Sequence, residues 1–387
     1  MTLSTPAAPQ QVPAVAGAQL RPLALESLPG FEQDDALAAF GAFSLSCEAM
    51  AATRPELRAG LPTPDLLRVV CAKALAAKPA NQSEAREFFA QHFAAFEILP
   101  DQPIRAGGPA FFTGYYEPVV DGALERSEHF SEALLGRPLD LVTLAPQDDR
   151  GDLPADLAGA RRRADGRLVP FPDRAAIDSG VLGDTAPPVA FVRDGIEAFL
   201  IQVQGSAAVR LADGRLVRLT YAGRNGLPYS SIGRQLIDSG EIPEAEMTLA
   251  RLKEWVRAAG QRPGEAGREL MHRNRSFVFF TRDESAGRAA GPIGAASVPL
   301  TPLRSVAVDR TLWPYGLPYW IEAAIATKSN GVGYFRQLLI GQDTGSAILG
   351  PARADIFFGS GDEAGKLAGD VRHTGRMVVL WPRAEAP

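Results

Sequence analysis

"LLIGQDTGSAILGPARADIFFGSG", residues 338–361, holds two short apolar runs on either side of Gly350-Pro351, and each run carries one aspartate. Short apolar runs bounded by glycine and proline read as strands. The stretch therefore predicts strand, turn, strand, with Asp343 and Asp355 twelve positions apart. On adjacent strands the two carboxyls would face one groove. Asp355 stands among small, aliphatic and aromatic residues, where a carboxylate loses much of its water. Its plain alternative is a cap on a strand end or turn.

Working outward, the section from about Gly294 reads as short strands and turns. "AFFTGYYEPVV" (110–120) is aromatic and β-branched and also reads as strand, as do "AFLIQVQG" (198–205), "GRLVRLTYAG" (214–223) and "FVFFT" (277–281). Helical spacing governs Asp34 to about Leu99. Leu37, Phe40, Phe43, Cys47 and Met50 mark a first helix. A second begins at "TPDLLRVVCAKALAA" (63–77), with Thr63 as N-cap and Pro64 at the first helical position. A third runs through "NQSEAREFFAQHFAAFEIL" (81–99), where Asn81 and Glu84 have capping-box spacing. Residues 230–260 restore a helical period, read as two helices. Helices followed by many strands predict an α+β, mainly β protein with barrel or sandwich units.

At 387 residues the chain has room for two domains, and 46% hydrophobic with 22% charged residues is ordinary globular composition. The net charge of -5 argues against nucleic acid or an anionic membrane surface as the main partner. There is no run of about 18 apolar residues that would span a membrane. The start, to Pro22, reads as a flexible Pro/Ala-rich leader without a signal-peptide pattern, so the protein is either cytoplasmic or has lost a native signal. Cys47 and Cys71 could pair or stay as buried thiols.

His92, His129, His272 and His373 are scattered, and HExxH, CxxC, GxSxG, GxxxxGK[ST] and GxGxxG are all absent. The expectation is no metal and no cofactor, leaving carboxylate chemistry or none. Asp343-Thr344-Gly345-Ser346 looks like an aspartic-protease element, but a single copy would require a homodimer to supply the second aspartate. A glycosidase would need the two carboxyls about 5–5.5 Å apart for retention or about 6.5–9.5 Å for inversion. A third possibility uses one acid, with a hydroxyl of the sugar replacing water. Aromatic faces and amides suited to a sugar are offered by Tyr115, Tyr116, Gln204, Tyr221, Asn225, Tyr229 and Phe358, each with simple packing as its alternative.

Seven pieces in order, "FFTGYYEPVV", "IQVQGSAAVRLADG", "YAGRNGLPYSSIGRQLIDSGEI", "NRSFVFF", "GAASVPLTPLRSVAVDR", "QDTGSAILGPARADIFFGSGDEAG" and "GRMVVLWP", span residue 110 to near the end. Together they resemble the family of membrane-bound lytic murein transglycosylase A. The resemblance implies a large double-psi β-barrel domain with helices, formed by residues 23–116 and 282–387. Residues 117–281 would form an inserted β-rich domain, with a glycan groove between the two and residues 1–22 as leader. It implies cleavage between N-acetylmuramic acid and N-acetylglucosamine in peptidoglycan, leaving 1,6-anhydromuramic ends. Asp355 of "ADIFFG" would be the single general acid and base, with Asp343 and Tyr116 supporting it. Gly114, Tyr115, Gln204, Gly205, Ser206, Tyr221, Asn225, Tyr229, Gly345 and Gly359 would meet substrate. A non-catalytic glycan-binding module of the same fold is the alternative, with the dimeric protease behind it. The expected partners are glycan strands and no nucleic acid, with cell-wall synthesis or division proteins as candidates, for a monomer in the periplasm associated with the outer membrane.

Two departures stand out. The family often carries "DTGGAIKG", where this chain has Ser346 and Leu349. The loss of the lysine removes a positive charge near the sugar. A lipid-attachment cysteine is missing near Met1, so the N-terminus is expected to be truncated or altered.

Overall fold

The computed structural model describes residues 13–102, 108–144, 148–283, 291–327 and 333–384. Residues 1–12 of the expected leader lie outside them. Residues 18–22, also assigned to the leader, belong to a strand, β1 (Ala18–Leu23), which pairs antiparallel with β2 (Phe93–Pro100). Between them come α1 (Ala36–Ala51), α2 (Asp65–Ala77) and α3 (Gln82–His92).

Local chemistry accounts for these helices. Asp35 caps α1 by accepting from the Ala38 amide at 3.1 Å, and Asn81 caps α3 by accepting from the Glu84 amide at 3.0 Å. At α2 Thr63 does not cap. Pro64 takes the cap position with ψ 140° and no side-chain bond, which moves the start one residue on. The third helix also stops earlier than the periodicity predicts. From Phe93 to Ile98 every residue is buried, because β2 is covered on both faces. Such an unbroken apolar run does not distinguish helix from strand.

The chain continues through β3 (Ala110–Glu117), β4 (Val119–Ala123), β5 (Glu132–Leu135), β6 (Leu141–Thr143), β7 (Gly159–Arg162), β8 (Leu168–Pro170), α4 (Arg174–Asp178) and β9 (Pro188–Val192). Then come α5 (Gly195–Gln204), β10 (Ala207–Arg210), β11 (Leu216–Arg224), α6 (Ile232–Asp238), α7 (Leu249–Ala258), α8 (Ala266–His272) and β12 (Val278–Asp283). The last elements are β13 (Ser305–Val308), β14 (Pro318–Ala323), β15 (Phe335–Asp343), β16 (Arg353–Ser360), α9 (Asp362–Gly369) and β17 (Arg372–Pro382). "AFLIQVQG", expected as strand, is helix α5. Asp194 caps it by accepting from the Glu197 amide at 3.1 Å, and Gly205 ends it at φ +82°. Asp194 and Glu197 lie just before the quoted apolar run, and Gly205 is its last residue.

The described residues fall into two units. The first takes the chain to Tyr115, then Ile293–Gly359 and Asp370 onward; the second takes Tyr116–Pro292 and Ser360–Gly369. Helix α9, assigned by sequence to the large domain, thus groups with the second unit. Both are α+β, and the chain as a whole is mainly β. The large sheet runs β1-β2-β17-β14-β15-β13-β16-β3, and β3 pairs β17 as well. That extra pairing closes a ring through β17, β14, β15, β13, β16 and β3. β14 is buried along its whole length, with Trp320 edge-on to Phe31 at 5.7 Å. Phe40, Phe43, Phe88, Phe89 and Phe93 pack among the helices. In the second unit the main sheet runs β12-β11-β10-β4-β9-β5, with a separate β6-β7-β8 sheet. Helices α5 to α8 share a core of Ile196, Phe199, Leu236, Val256 and Leu270.

A disulfide joins Cys47 of α1 to Cys71 of α2, 24 positions apart. Replacing both cysteines with alanine is expected to lower unfolding stability by about 3 kcal/mol, chiefly by enlarging the unfolded ensemble. A urea midpoint that does not move, at constant m-value, would show the bond to be neutral.

Candidate active site

Strand β13 has a neighbour on each edge, β15 parallel and β16 antiparallel. Its Ala307 is the register partner of Asp343 on β15 and of Asp355 on β16. Residues opposite one another on a ladder project to one face, so the two aspartates and the small Ala307 side chain share a face. The strands carrying the acids are therefore not adjacent, as the turn at Gly350-Pro351 implied, but lie two ladder steps apart, about 10 Å between backbones.

An irregularity in register makes this possible. Val306 pairs with Gly341 while Ala307 pairs with Asp343, so Gln342 is an extra residue. A bulge of this kind re-aims the side chains beyond it. Gln342 turns into the core, where its amide accepts from Ser305 Oγ at 2.5 Å and donates to the Ala42 carbonyl and to Ser46 Oγ at 2.7 and 2.8 Å. Asp343 takes the opposite face.

Strand β3 supplies the partners. Thr113 and Tyr115, two apart, share a face. Thr113 Oγ1 donates to Asp355 Oδ1 at 2.5 Å, and Tyr115 Oη donates to Asp343 Oδ2 at 2.8 Å. The Tyr115 ring packs on Phe357 with centroids 5.3 Å apart. Arg353 donates to Thr113 Oγ1 at 2.7 Å and lies over the Phe111 ring. Asp343 Oδ1 also accepts from the Ala295 and Thr344 amides at 2.9 and 2.8 Å.

The two carboxyls are both half-buried but differently held. Loss of water raises the Asp355 pKa; the Arg353 cation and the Thr113 hydroxyl oppose the rise, and the Asp343 charge adds to it. Burial raises Asp343 too, against two amides, the Tyr115 hydroxyl and Arg58. Three donors make Asp343 the better-held anion, and a single hydroxyl leaves Asp355 the better proton carrier. Burial and the Asp343 charge keep the Tyr115 phenol protonated, its pKa well above the ordinary value. Asp343 Oδ1 thus accepts two hydrogen bonds and Oδ2 one, all from within the chain.

The other expected site residues divide between the units. Gly114 lies between Thr113 and Tyr115 on β3. A side chain at Gly345 would come within 2.9 Å of Ile348, and Gly359 near the end of β16 has φ +112°. Phe358 is buried in the core. Leu349, at the family's lysine position, is 64% exposed. Tyr116, expected with Asp343 to support Asp355, makes its contacts elsewhere. Strand alternation turns it away from Tyr115, and its ring packs on Gly365 of α9 in the second unit, where burial and Asp362 push its pKa to about 12.

Also in the second unit, Gln204 accepts from the Tyr116 amide at 3.2 Å, Gly205 caps α5, and Ser206 and Tyr221 are half-buried. Tyr229 is 36% exposed. Asn225, expected to meet substrate, is fully buried. It donates to the Pro172 and Arg275 carbonyls and accepts from the Phe277 amide, so its amide is spent on the fold. Sequence reasoning missed Thr113, Arg353, Ala307 and the Ala295 amide. All four lie inside quoted segments, Thr113 in "FFTGYYEPVV", Ala295 and Ala307 in "GAASVPLTPLRSVAVDR" and Arg353 in "QDTGSAILGPARADIFFGSGDEAG", but none of the four carries a local signal of its role.

Replacing Arg353 with methionine removes the nearest cation opposing the rise, so Asp355 is expected to titrate at higher pH than in the wild type. Carboxyl carbon NMR reads this directly, and an unchanged or lower titration point would reject the assignment.

Two family models match the chain: the MltA specific insert domain over residues 111–281 and the 3D domain over residues 304–381. Membrane-bound lytic murein transglycosylase A of Escherichia coli K12 is 34% identical over 279 residues, 70% of this chain. That match spans 66% of the relative's length. A crystal structure of membrane-bound lytic murein transglycosylase from Agrobacterium tumefaciens superposes with TM-score 0.82 at 31% identity, covering 94% of this chain and 98% of that one. The crystal structure of E. coli MltA with bound chitohexaose gives TM-score 0.62 at 26% identity, covering 98% and 96%.

Proposed function

The chain belongs to the family of membrane-bound lytic murein transglycosylase A, and from that premise we propose that it is a peptidoglycan lytic transglycosylase. It cleaves the β-1,4 bond between N-acetylmuramic acid and N-acetylglucosamine and leaves 1,6-anhydromuramic acid ends. The observation that carries the reading is the Asp355 carboxyl, half-buried and raised in pKa, on one face with an Asp343 carboxyl held by three donors. The E. coli relative crystallised with chitohexaose supports a glycan strand as the ligand.

Asp355 in its acid form protonates the oxygen linking the two sugars. As that bond breaks, positive charge develops at C1 of the muramic ring. The ring's own C6 hydroxyl attacks C1, and the Asp355 carboxylate accepts the hydroxyl proton. The acid is regenerated, no water is consumed, and no cofactor is required. Asp343, held by three donors, stabilises the developing positive charge in its anionic form. Thr113 and Arg353 fix the orientation of Asp355. Gly114, Gly345 and Gly359 are candidate sugar contacts in the first unit, and Gln204, Gly205, Ser206, Tyr221 and Tyr229 in the second.

The closed ring of strands in the first unit is read as a double-psi β-barrel. The Cys47–Cys71 disulfide favours an oxidising compartment, and the family's membrane-bound name favours the periplasmic side of the outer membrane. Among the described residues no helix is long and apolar enough to cross a membrane. The protein acts as a monomer, and cell-wall synthesis or division proteins are its candidate partners.

Incubation with purified murein, followed by mass spectrometry, is expected to give 1,6-anhydro ends. Asp355→Asn is expected to lower the rate by about 10³-fold, within the range for loss of a general acid–base. Reducing ends would make it a hydrolase, and activity surviving the substitution would remove Asp355 from the mechanism. Because the acid form starts the reaction, kcat/KM is expected to fall as pH rises through the Asp355 pKa, above the usual carboxylate range. A flat profile there would contradict the assignment.

A further inference from the structure

The second unit contains a cavity of about 630 Å³ that the proposed chemistry does not use. Valines 119 and 120 give it an apolar wall. Its charged groups fall into two sets. Arg257 is spent on Asp194 at 2.8 Å and Glu197 at 3.2 Å, and Arg210 on Asp121 at 2.9 Å. Arg193, Lys253 and Asp362 also line the cavity, and none of the three has an ion-paired or hydrogen-bonded partner among the described residues. Lys253 is half-buried on α7. Arg193 and Asp362 are exposed, and the Arg193 and Lys253 charges both act on Glu197 across the cavity.

Two cations and one carboxylate remain, beside an apolar wall. We propose that this cavity binds a short acidic peptide carrying several carboxylates and a single ammonium, the chemistry of the peptidoglycan stem. Arg193 and Lys253 take carboxylates, Asp362 takes the ammonium, and the valines take the aliphatic chain between. Asp121, Asp194 and Glu197 also face the space, and they exclude a purely anionic ligand such as free phosphate or a polyanionic glycan. Burial and the Asp194 charge raise the Glu197 pKa, while Arg257, Arg193 and Lys253 lower it, so a bound carboxylate that draws off the last two would raise it further. The inference rests on the reading of the chain as a peptidoglycan enzyme. It adds that the enzyme reads the peptide as well as the sugar.

The test is calorimetric titration of the full chain with N-acetyl-L-Ala-γ-D-Glu-meso-diaminopimelyl-D-Ala. Saturable binding is expected, weakened at least tenfold by Lys253→Met or Arg193→Gln at unchanged thermal midpoint, and abolished when the peptide's carboxylates are amidated. In kinetics, Lys253→Met is expected to raise KM for stem-bearing strands relative to peptide-free strands several-fold, with little change in kcat. No saturable binding, or binding indifferent to both substitutions, overturns the inference. Asp355→Asn separates the two readings. Peptide binding that persists in this variant while cleavage stops supports both; cleavage that persists removes the assigned reaction; and cleavage in the wild type without peptide binding removes only the cavity's role.

Discussion

Hydrogen bonding on both edges of β13 is the constraint on which the rest turns. A four-residue strand held between β15 and β16 fixes, at one position, which residues of its neighbours stand opposite. Ala307 is that position. The extra residue at Gln342 brings an aspartate to it on one side, and the ordinary antiparallel ladder brings an aspartate on the other. β3, bonded along β16, then delivers a threonine and a tyrosine to the same face. Four functional side chains thus come from three separate stretches of sequence with no contribution from a mobile loop. This is the arrangement by which rigid elements hold a catalytic group within tolerance.

Burial creates a tension at this face. A carboxyl that loses water resists ionisation, and two carboxyls on one face resist it more. The surroundings resolve the tension unequally. Two backbone amides and a phenol hold the Asp343 charge, whereas Asp355 has one hydroxyl and a guanidinium acting from beside it. The asymmetry holds one charge with more donors than the other, although the two residues are chemically identical and occupy equivalent register positions. Folding stability is given up there, since Asp355 is easier to ionise in the unfolded chain than in the folded one.

Much of this was legible in the sequence because some signals are local. Caps at Asp35 and Asn81, the strand character of "AFFTGYYEPVV", and the two aspartates bracketing Gly350-Pro351 all depend on neighbours within a few positions. What was not legible depends on distant ones. β2 looked helical because its apolar run carries no period, and only burial between β1 and β17 makes it a strand. The capping pattern that makes α5 a helix begins before the apolar run that looked like strand. Tyr115 and Tyr116 are adjacent, and alternation along β3 fixes that they differ in face but not which of them meets Asp343. Asn225 offered an amide that suits a sugar equally well as a backbone, and the loops at Pro172 and Arg275 took it.

The large sheet has a further consequence for how the chain is made. β2 bonds to β17, so residues near position 96 have their partners near position 379. The ribosome must release almost the entire polypeptide before the sheet's inner strands can close, and the first unit's early strands wait with apolar edges uncovered. Such remote pairing slows folding and exposes the nascent protein to aggregation. Removal of that final strand would strip hydrogen-bonding partners from β2, β3 and β14 together.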